Sequence, residues 1–239
     1  MRIGIITLPL QTNYGGLLQA YALQTVLERM GREVEVISYR YTLPLWKKPL
    51  AYAKRVVCKC LVDRKTKVFY ERDMERTYPV ISRFTEPFVT RYIHKRSVRN
   101  FAEIKEGEFD AFVVGSDQIW RPLYVHFKIE DAYLCFARKW KVRRVAYAAS
   151  FGTDSWEYTL RQTKRCARLL SRFDAVGVRE ASGVTLCRER FGAAAFHVPD
   201  PTLLIGCADY EQLIARGARI PFPDRCSAMC WTKVRRKPS

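Results

Sequence analysis

Arg2-Ile3-Gly4-Ile5-Ile6-Thr7-Leu8, followed by Gln11-Thr12-Asn13-Tyr14-Gly15-Gly16, decides the fold. The first stretch is a short, β-branched, nearly unbroken apolar run, the pattern of a strand buried on both faces. The second reads as a turn. Leu17, Leu18, Tyr21, Ala22, Val26 and Met30 then recur at helical spacing, Gly31 supplies a stop, and Val34–Ser38 reads as a second strand. Strand, helix and strand in so short a span form a βαβ unit. Its two strands are therefore expected side by side and parallel, joined by a right-handed crossover.

The same alternation returns further along. Phe109–Val114 reads as a strand ending in Gly115-Ser116-Asp117, and Arg144–Ala149 as another ending in Ser150-Phe151-Gly152. Thr159–Phe173 has helical periodicity and Ala175–Val178 is strand-like. Ser182–Phe191 is a helix closed by Gly192, and Ala195–Val198 a last short strand before Asp200-Pro201. This order predicts an open, mostly parallel α/β sheet. Residues 41–100 break the rhythm: Leu43-Pro44-Leu45-Trp46 is loop-like, Leu50–Met74 is expected to be helical, and Phe84–Arg99 to be further helix or loop. With no Gly/Ser/Pro-rich linker around it, the segment reads as an insertion over the sheet. After Leu204 the pattern weakens to one helix, Asp209–Arg216, and a poorly patterned tail. The expected division is thus an α/β domain over 1–205 and a basic tail over 206–239.

The 239 residues carry 42 Lys and Arg against 24 Asp and Glu, a net charge of +18. The excess is local: residues 41–100 hold 15 basic and 5 acidic side chains, and 216–239 hold 7 and 1. Such clusters suit anionic partners or form a solvated face. Apolar residues at 48% exclude global disorder. No apolar stretch approaches the roughly 20 residues of a membrane span, and Met1–Leu10 lacks the layout of a secretory signal. Eight cysteines in that context suggest reduced cytosolic thiols rather than a disulfide framework.

Ligands of open α/β sheets sit outside the carboxyl ends of the strands, and four such ends carry polar or glycine-rich turns. Asn13-Tyr14-Gly15-Gly16 opens a helix whose N–H groups suit a phosphate or carboxylate, or it is a plain strand–helix turn. Gly115-Ser116-Asp117-Gln118 brings a hydroxyl, a carboxylate and an amide to one strand tip. Asp117 is there a general base, a partner of sugar hydroxyls, or merely a helix cap. Ser150-Phe151-Gly152 closes a third strand. Arg179-Glu180 follows a fourth, and the arginine either forms a bidentate pair with a ligand anion or pairs internally with Glu180. Cys58-Lys59-Cys60 and Cys226–Cys230 lack further ligands at zinc spacing, so no metal site is expected. His94, His126 and His197 are scattered and read as structural. Neither a dinucleotide fingerprint nor a Walker loop is present, and charge alone, without a reading motif, does not indicate specific nucleic-acid binding.

Taken together, the segments resemble the polysaccharide pyruvyl transferase family. The resemblance lies in Ile3–Thr7 running into Asn13–Gln24, in Phe109–Trp120, in Tyr147–Gly152, in Val178-Arg179-Glu180 and in Asp200–Leu204, in that order. It implies a Rossmann-like sheet similar to the N-terminal half of a GT-B type glycosyltransferase. It also implies transfer of a pyruvyl group from phosphoenolpyruvate to sugar hydroxyls of a cell-surface polysaccharide or its precursor, in exopolysaccharide and cell-envelope building. No cofactor is implied. On this resemblance Arg179 meets the donor anion, Asp117 and Gln118 handle the acceptor sugar, and Asn13–Gly16 line the cleft. The family's second domain supplies much of the donor site, and the last 20 residues do not resemble it. The chain is therefore expected to be truncated, to have little activity alone, and to expose an interface inviting self-association or a partner chain. The protein is expected in the cytoplasm, its basic insertion touching anionic lipid at the inner face of the membrane. The rival reading is a non-catalytic glycan or nucleotide-sugar binding module.

Overall fold

The structure, a computed structural model, describes residues 1–11, 13–40, 48–61 and 68–216. Seven strands form one sheet: β1 (Arg2–Ile6), β2 (Glu33–Tyr39), β3 (Lys95–Val98), β4 (Ala111–Val114), β5 (Arg143–Ala149), β6 (Ala175–Val178) and β7 (Phe196–His197). Every pair is parallel, in the order β3-β2-β1-β4-β5-β6-β7. The helices are α1 (Tyr14–Arg29), α2 (Lys48–Leu61), α3 (Tyr70–Ile81), α4 (Thr85–Tyr92), α5 (Leu160–Leu170), α6 (Ala181–Leu186) and α7 (Cys207–Arg216).

The apolar run of β1 has partners on both faces. Ile3 and Ile5 pack with Leu17, Ala20 and Leu23 of α1 and with Val89 of α4. Ile6 belongs to the opposite layer, with Phe112, Val114, Cys166 and Leu170. This is the period-two alternation of a strand between two helical layers. The chain builds outward from β1 to β3, then returns to lay β4 beside β1 and builds the other way. That reversal opens a crevice at the carboxyl ends of β1 and β4, where doubly wound sheets bind ligands.

The segment 41–100 needs correcting. Its expected helix is realised as α2 and α3, with 62–67 between them outside the described residues. It is not only an insertion over the sheet, because Lys95–Val98 pairs with Val36–Tyr39 as the edge strand. An edge strand needs little apolar side chain and tolerates charge, so Lys95-Arg96-Ser97-Val98 gave no strand signal. The expected loop Leu43-Pro44-Leu45-Trp46 lies outside the described residues.

A second group of aromatics locks the loops after β4 and β5 together. Trp120 stacks on Tyr133 at 5.0 Å between ring centroids, Trp156 on Tyr158 at 4.6 Å, and Phe151 lies 5.4 Å from Trp120. Their polar ends are satisfied. Tyr158 donates to the Trp120 carbonyl and accepts from the Tyr133 hydroxyl at 2.7 Å, while Trp120 Nε1 donates to the Ala132 carbonyl at 3.2 Å. Burial raises the pKa of both tyrosines well above the usual phenol value. Among the described residues Cys60, Cys135, Cys166, Cys187 and Cys207 are free thiols, and burial pushes Cys187 up to about 12, the mark of an inert thiol.

Asp131, in the short helical turn Ile129–Tyr133, gives a stability prediction. Burial raises its carboxyl to about 6. The folded state therefore holds this proton more tightly than the unfolded chain does. That contribution is complete below the unfolded value of 3.8 and is lost as pH rises from there through about 6. Asp131→Asn is expected to leave stability unchanged at pH ~3, below the unfolded carboxyl value, and to raise it by about 1–3 kcal/mol above pH ~6. Urea unfolding at the two pH values checks this.

Residues 1–205 form one compact unit, and the second, 206–239, is described only through α7. Among the described residues no helix is long and apolar enough to cross a membrane.

Candidate functional site

Parallel strands deliver their carboxyl ends to one rim, and backbone hydrogen bonds stitch the loops there. Gly115 N donates to the Ile6 carbonyl at 2.9 Å, fixing the loop after β4 to the end of β1. The β5 ladder shifts register between Ala146 and Ala149, with Ala148 at φ 51°. Such a bulge re-aims the residues beyond it. Ser150 N then donates to the Asp117 carbonyl at 3.0 Å, and Trp120 N to the Ser150 carbonyl at 3.2 Å. Arg179 N reaches the Ala149 carbonyl at 3.2 Å. Gly115 itself has φ 130°, and a Cβ there would meet the Tyr147 carbonyl oxygen at 2.1 Å, so only glycine lets the loop after β4 come this close to β5.

On this frame the side chains form an unbroken polar chain. Ser116 Oγ donates to Gln19 Oε1 at 3.1 Å, and Gln19 Nε2 donates to Asp200 Oδ2 at 2.5 Å. Arg179 Nη1 lies 3.5 Å from the same Asp200 oxygen, and its Nε donates to Glu180 Oε1 at 2.8 Å. Ser150 Oγ donates to Glu180 Oε1 at 2.9 Å and accepts from Gly152 N at 2.9 Å. Asn13 Nδ2 donates to Asp117 Oδ2 at 3.2 Å. Burial acts against the charge of Arg179, but the Glu180 hydrogen bond and the charges of Glu180, Asp117 and Asp200 outweigh it and raise its pKa. The rim thus sets one guanidinium among three carboxylates.

The two aspartates differ. Asp200 accepts from Gln19 on Oδ2, and from Thr202 N at 3.0 Å and Thr202 Oγ1 at 2.8 Å on Oδ1. Asp117 accepts only from Asn13 among the described residues, and its Oδ1 has no partner there. It therefore keeps capacity for a ligand hydroxyl. Beside it a cleft of about 330 Å³ opens at the crevice between β1 and β4. Thr7–Gln11 forms one wall and Asn13, Gly16 and Leu17 another, with Asp117 between; Leu123, Tyr124 and His126 close it.

Most of the residues expected from the sequence meet at this rim, in different roles. Asn13, Gly16 and Asp117 border the cleft, whereas Tyr14 and Gly15 are exposed at the start of α1. Gly115 and Ser116 are buried and act through the backbone and Gln19. Gln118 accepts from Arg121 Nη1 at 3.4 Å and packs over Gly152, where φ is 68° and a Cβ would meet Gln118 Oε1 at 2.3 Å. Arg179 and Glu180 form the internal pair that the sequence left as one of two options. Asp117 caps no helix among the described residues. Two placements are corrections. Phe151 is 4% exposed with its ring in the aromatic core, because the glycine after it turns the chain back over Trp120 and Tyr158. Ser150 is fully buried and holds Glu180 instead of facing a ligand.

Gln19, Asp200, Tyr124 and His126 were missed as site residues. Gln19 lies one helical turn beyond Gly15-Gly16, a spacing that could have revealed it; Asp200 follows the last strand, as Asp117 follows β4. Tyr124 and His126 sit in irregular chain with no periodic signal. His94 instead pairs with Glu28 at 2.9 Å near the opposite rim, and His197 Nε2 lies 2.9 Å from the Arg179 carbonyl. Among the described residues no group of three or more His, Cys, Asp or Glu could hold a metal ion.

The chain is thus an open, parallel α/β protein whose polar rim lies at the switch point of its sheet, where sheets of this class bind ligands. A family model described as polysaccharide pyruvyl transferase matches residues 13–229, and the chain belongs to that family. The match extends past Leu204, where the recognisable short motifs end, into a tail whose weak periodicity had shown no such kinship. Comparisons with curated proteins and with solved structures found no match.

Proposed function

We propose that the protein takes part in pyruvyl transfer from phosphoenolpyruvate to sugar hydroxyls, and that the rim between β1 and β4 holds the acceptor. The observation that carries this is Asp117, a carboxylate at a cleft with one oxygen unengaged among the described residues, beside a polar chain running from Ser116 to Ser150. Asp117 takes the proton of the attacking hydroxyl while that oxygen bonds to C2 of the pyruvyl unit. As the C=C π bond opens, the methylene carbon takes one proton from solvent, matched by the one Asp117 removes, which makes C2 electrophilic. A second hydroxyl then bonds to C2 as the C2–O bond to phosphate breaks, and phosphate leaves with that hydroxyl's proton. Donors with carboxylate and phosphate groups need cations. The Arg179 guanidinium already faces Glu180 and Asp200, and that of Arg121 faces Glu157, so Arg179 must exchange partners to meet the donor. Further cations must come from outside the described rim. Turnover by the 239-residue chain is accordingly expected to be slow.

The remaining family expectations accompany this reading as proposals: kinship to the N-terminal half of a GT-B type enzyme, and an acceptor in exopolysaccharide or cell-envelope building. So do work at the cytoplasmic face of the membrane and association with a second chain. The test is phosphate release from phosphoenolpyruvate by the purified chain. Release that rises with added sugar supports the proposal; release indifferent to sugar contradicts it. Arg179→Lys, which keeps charge but loses the planar fork, is expected to raise KM for phosphoenolpyruvate about 10-fold, matching about 1.5 kcal/mol, the lower end of the cost of a charged hydrogen bond. An unchanged KM would remove Arg179 from the donor site. The basic segment 41–100 is assigned to anionic lipid, and liposome pelleting should fall as salt rises.

A further inference from the structure

We propose that Tyr124 is the platform on which a pyranose ring of the acceptor stacks, an inference that rests on the acceptor reading of the same cleft. Tyr124 lines the cleft and is 48% exposed, large for an aromatic side chain in a crevice. Its position is fixed in advance. Tyr124 N donates to the Arg121 carbonyl at 3.0 Å, and the Arg121 guanidinium lies 4.6 Å from the ring centroid. Arg121 is itself clamped: Nε donates to both Glu157 oxygens at 3.2 Å, and Nη2 donates to Oε1 at 3.0 Å. Nη1 donates to Gln118 Oε1 at 3.4 Å, tying the clamp to the loop that carries Asp117. A bidentate pair therefore holds the cation, and the cation holds the ring. A preorganised ring loses little conformational entropy when a ligand settles on it.

The rest of the lining is two-sided. Leu8, Leu17 and Leu123 supply apolar wall, while Gln11, Asn13 and Asp117 supply amides and a carboxylate. A pyranose has the same division, C–H bonds on a ring face and hydroxyls around its edge. An aromatic face meets the former and polar side chains the latter. At about 330 Å³ the cleft lies near the lower end of ligand sites, so it suits one or two sugar rings and not a long glycan. An acyclic polyol offers the same hydroxyls without a ring face.

Saturation-transfer NMR on the 239-residue chain, with methyl β-hexopyranosides and with mannitol, tests the proposal. Transfer is expected to fall on C–H protons of one ring face of the glycosides, with mannitol much weaker. Tyr124→Ala should weaken glycoside binding about 3- to 10-fold, the range of an aromatic stacking contribution, and Tyr124→Phe should retain it. Glycoside binding unchanged in Tyr124→Ala, or mannitol binding as well as the glycosides, would overturn the platform. The two readings separate cleanly. Sugar-dependent phosphate release with an unaltered acceptor KM in Tyr124→Ala sinks the platform alone. Tyr124-dependent glycoside binding with no sugar-dependent release upholds the platform and sinks the transfer reading.

Discussion

Asp117→Asn is expected to lower kcat for sugar-dependent phosphate release by about 10²- to 10⁴-fold, the usual contribution of a positioned general base. The substitution is nearly isosteric. An amide oxygen still accepts from Asn13 Nδ2, now at 3.2 Å from Asp117 Oδ2, so the loop keeps its anchor. Asparagine also tolerates the positive φ of 57° at this position. The melting temperature should therefore move little, and KM for phosphoenolpyruvate should change less than kcat. Undiminished kcat in a folded variant would remove Asp117 from the chemistry.

The second large effect concerns stability. Gly115→Ala is expected to cost about 3 kcal/mol or more, combining a strained positive φ with an overpacked contact. At this chain length that corresponds to a drop of roughly 6–12 °C in melting temperature. The cause is specific. A Cβ on Gly115 would meet the Tyr147 carbonyl oxygen at 2.1 Å, and that backbone can move only by tearing β4 from β5. Gly107 is the internal control: its φ is 87°, but a Cβ there meets nothing within 4 Å. Gly107→Ala should cost only the conformational penalty, about 1–2 kcal/mol. Thermal melts of the two variants that coincide would show that the close approach after β4 contributes nothing.

The sheet was legible because its strands are buried on both faces. Arg2–Ile6 and Ala175–Val178 declare themselves by apolar, β-branched runs, and α1 by its helical stripe before Gly31. The edge strand Lys95–Val98 was not legible, since the force that makes a central strand apolar is absent at an edge. The rim was half legible. Strand-end turns announced Asn13, Asp117 and Arg179, because parallel topology sends all carboxyl ends to one side. What each side chain does there depends on neighbours far apart in sequence. Gln19 meets Asp200, and Phe151 finds Trp120 and Phe191, through contacts that no local pattern encodes. Arg179 shows this most clearly, its partners in this structure being Glu180 at 2.8 Å and Asp200 at 3.5 Å, the second of them distant in sequence.

Hydrogen–deuterium exchange, with phosphoenolpyruvate and a methyl hexopyranoside added together, tests the placement of the site most directly. Slowed exchange is expected in peptides covering 7–17, 115–126, 150–152 and 179–200, while the opposite rim around His94–Arg96 stays unchanged. Protection confined to that opposite rim, or absent from the whole chain at saturating ligand, would contradict the account.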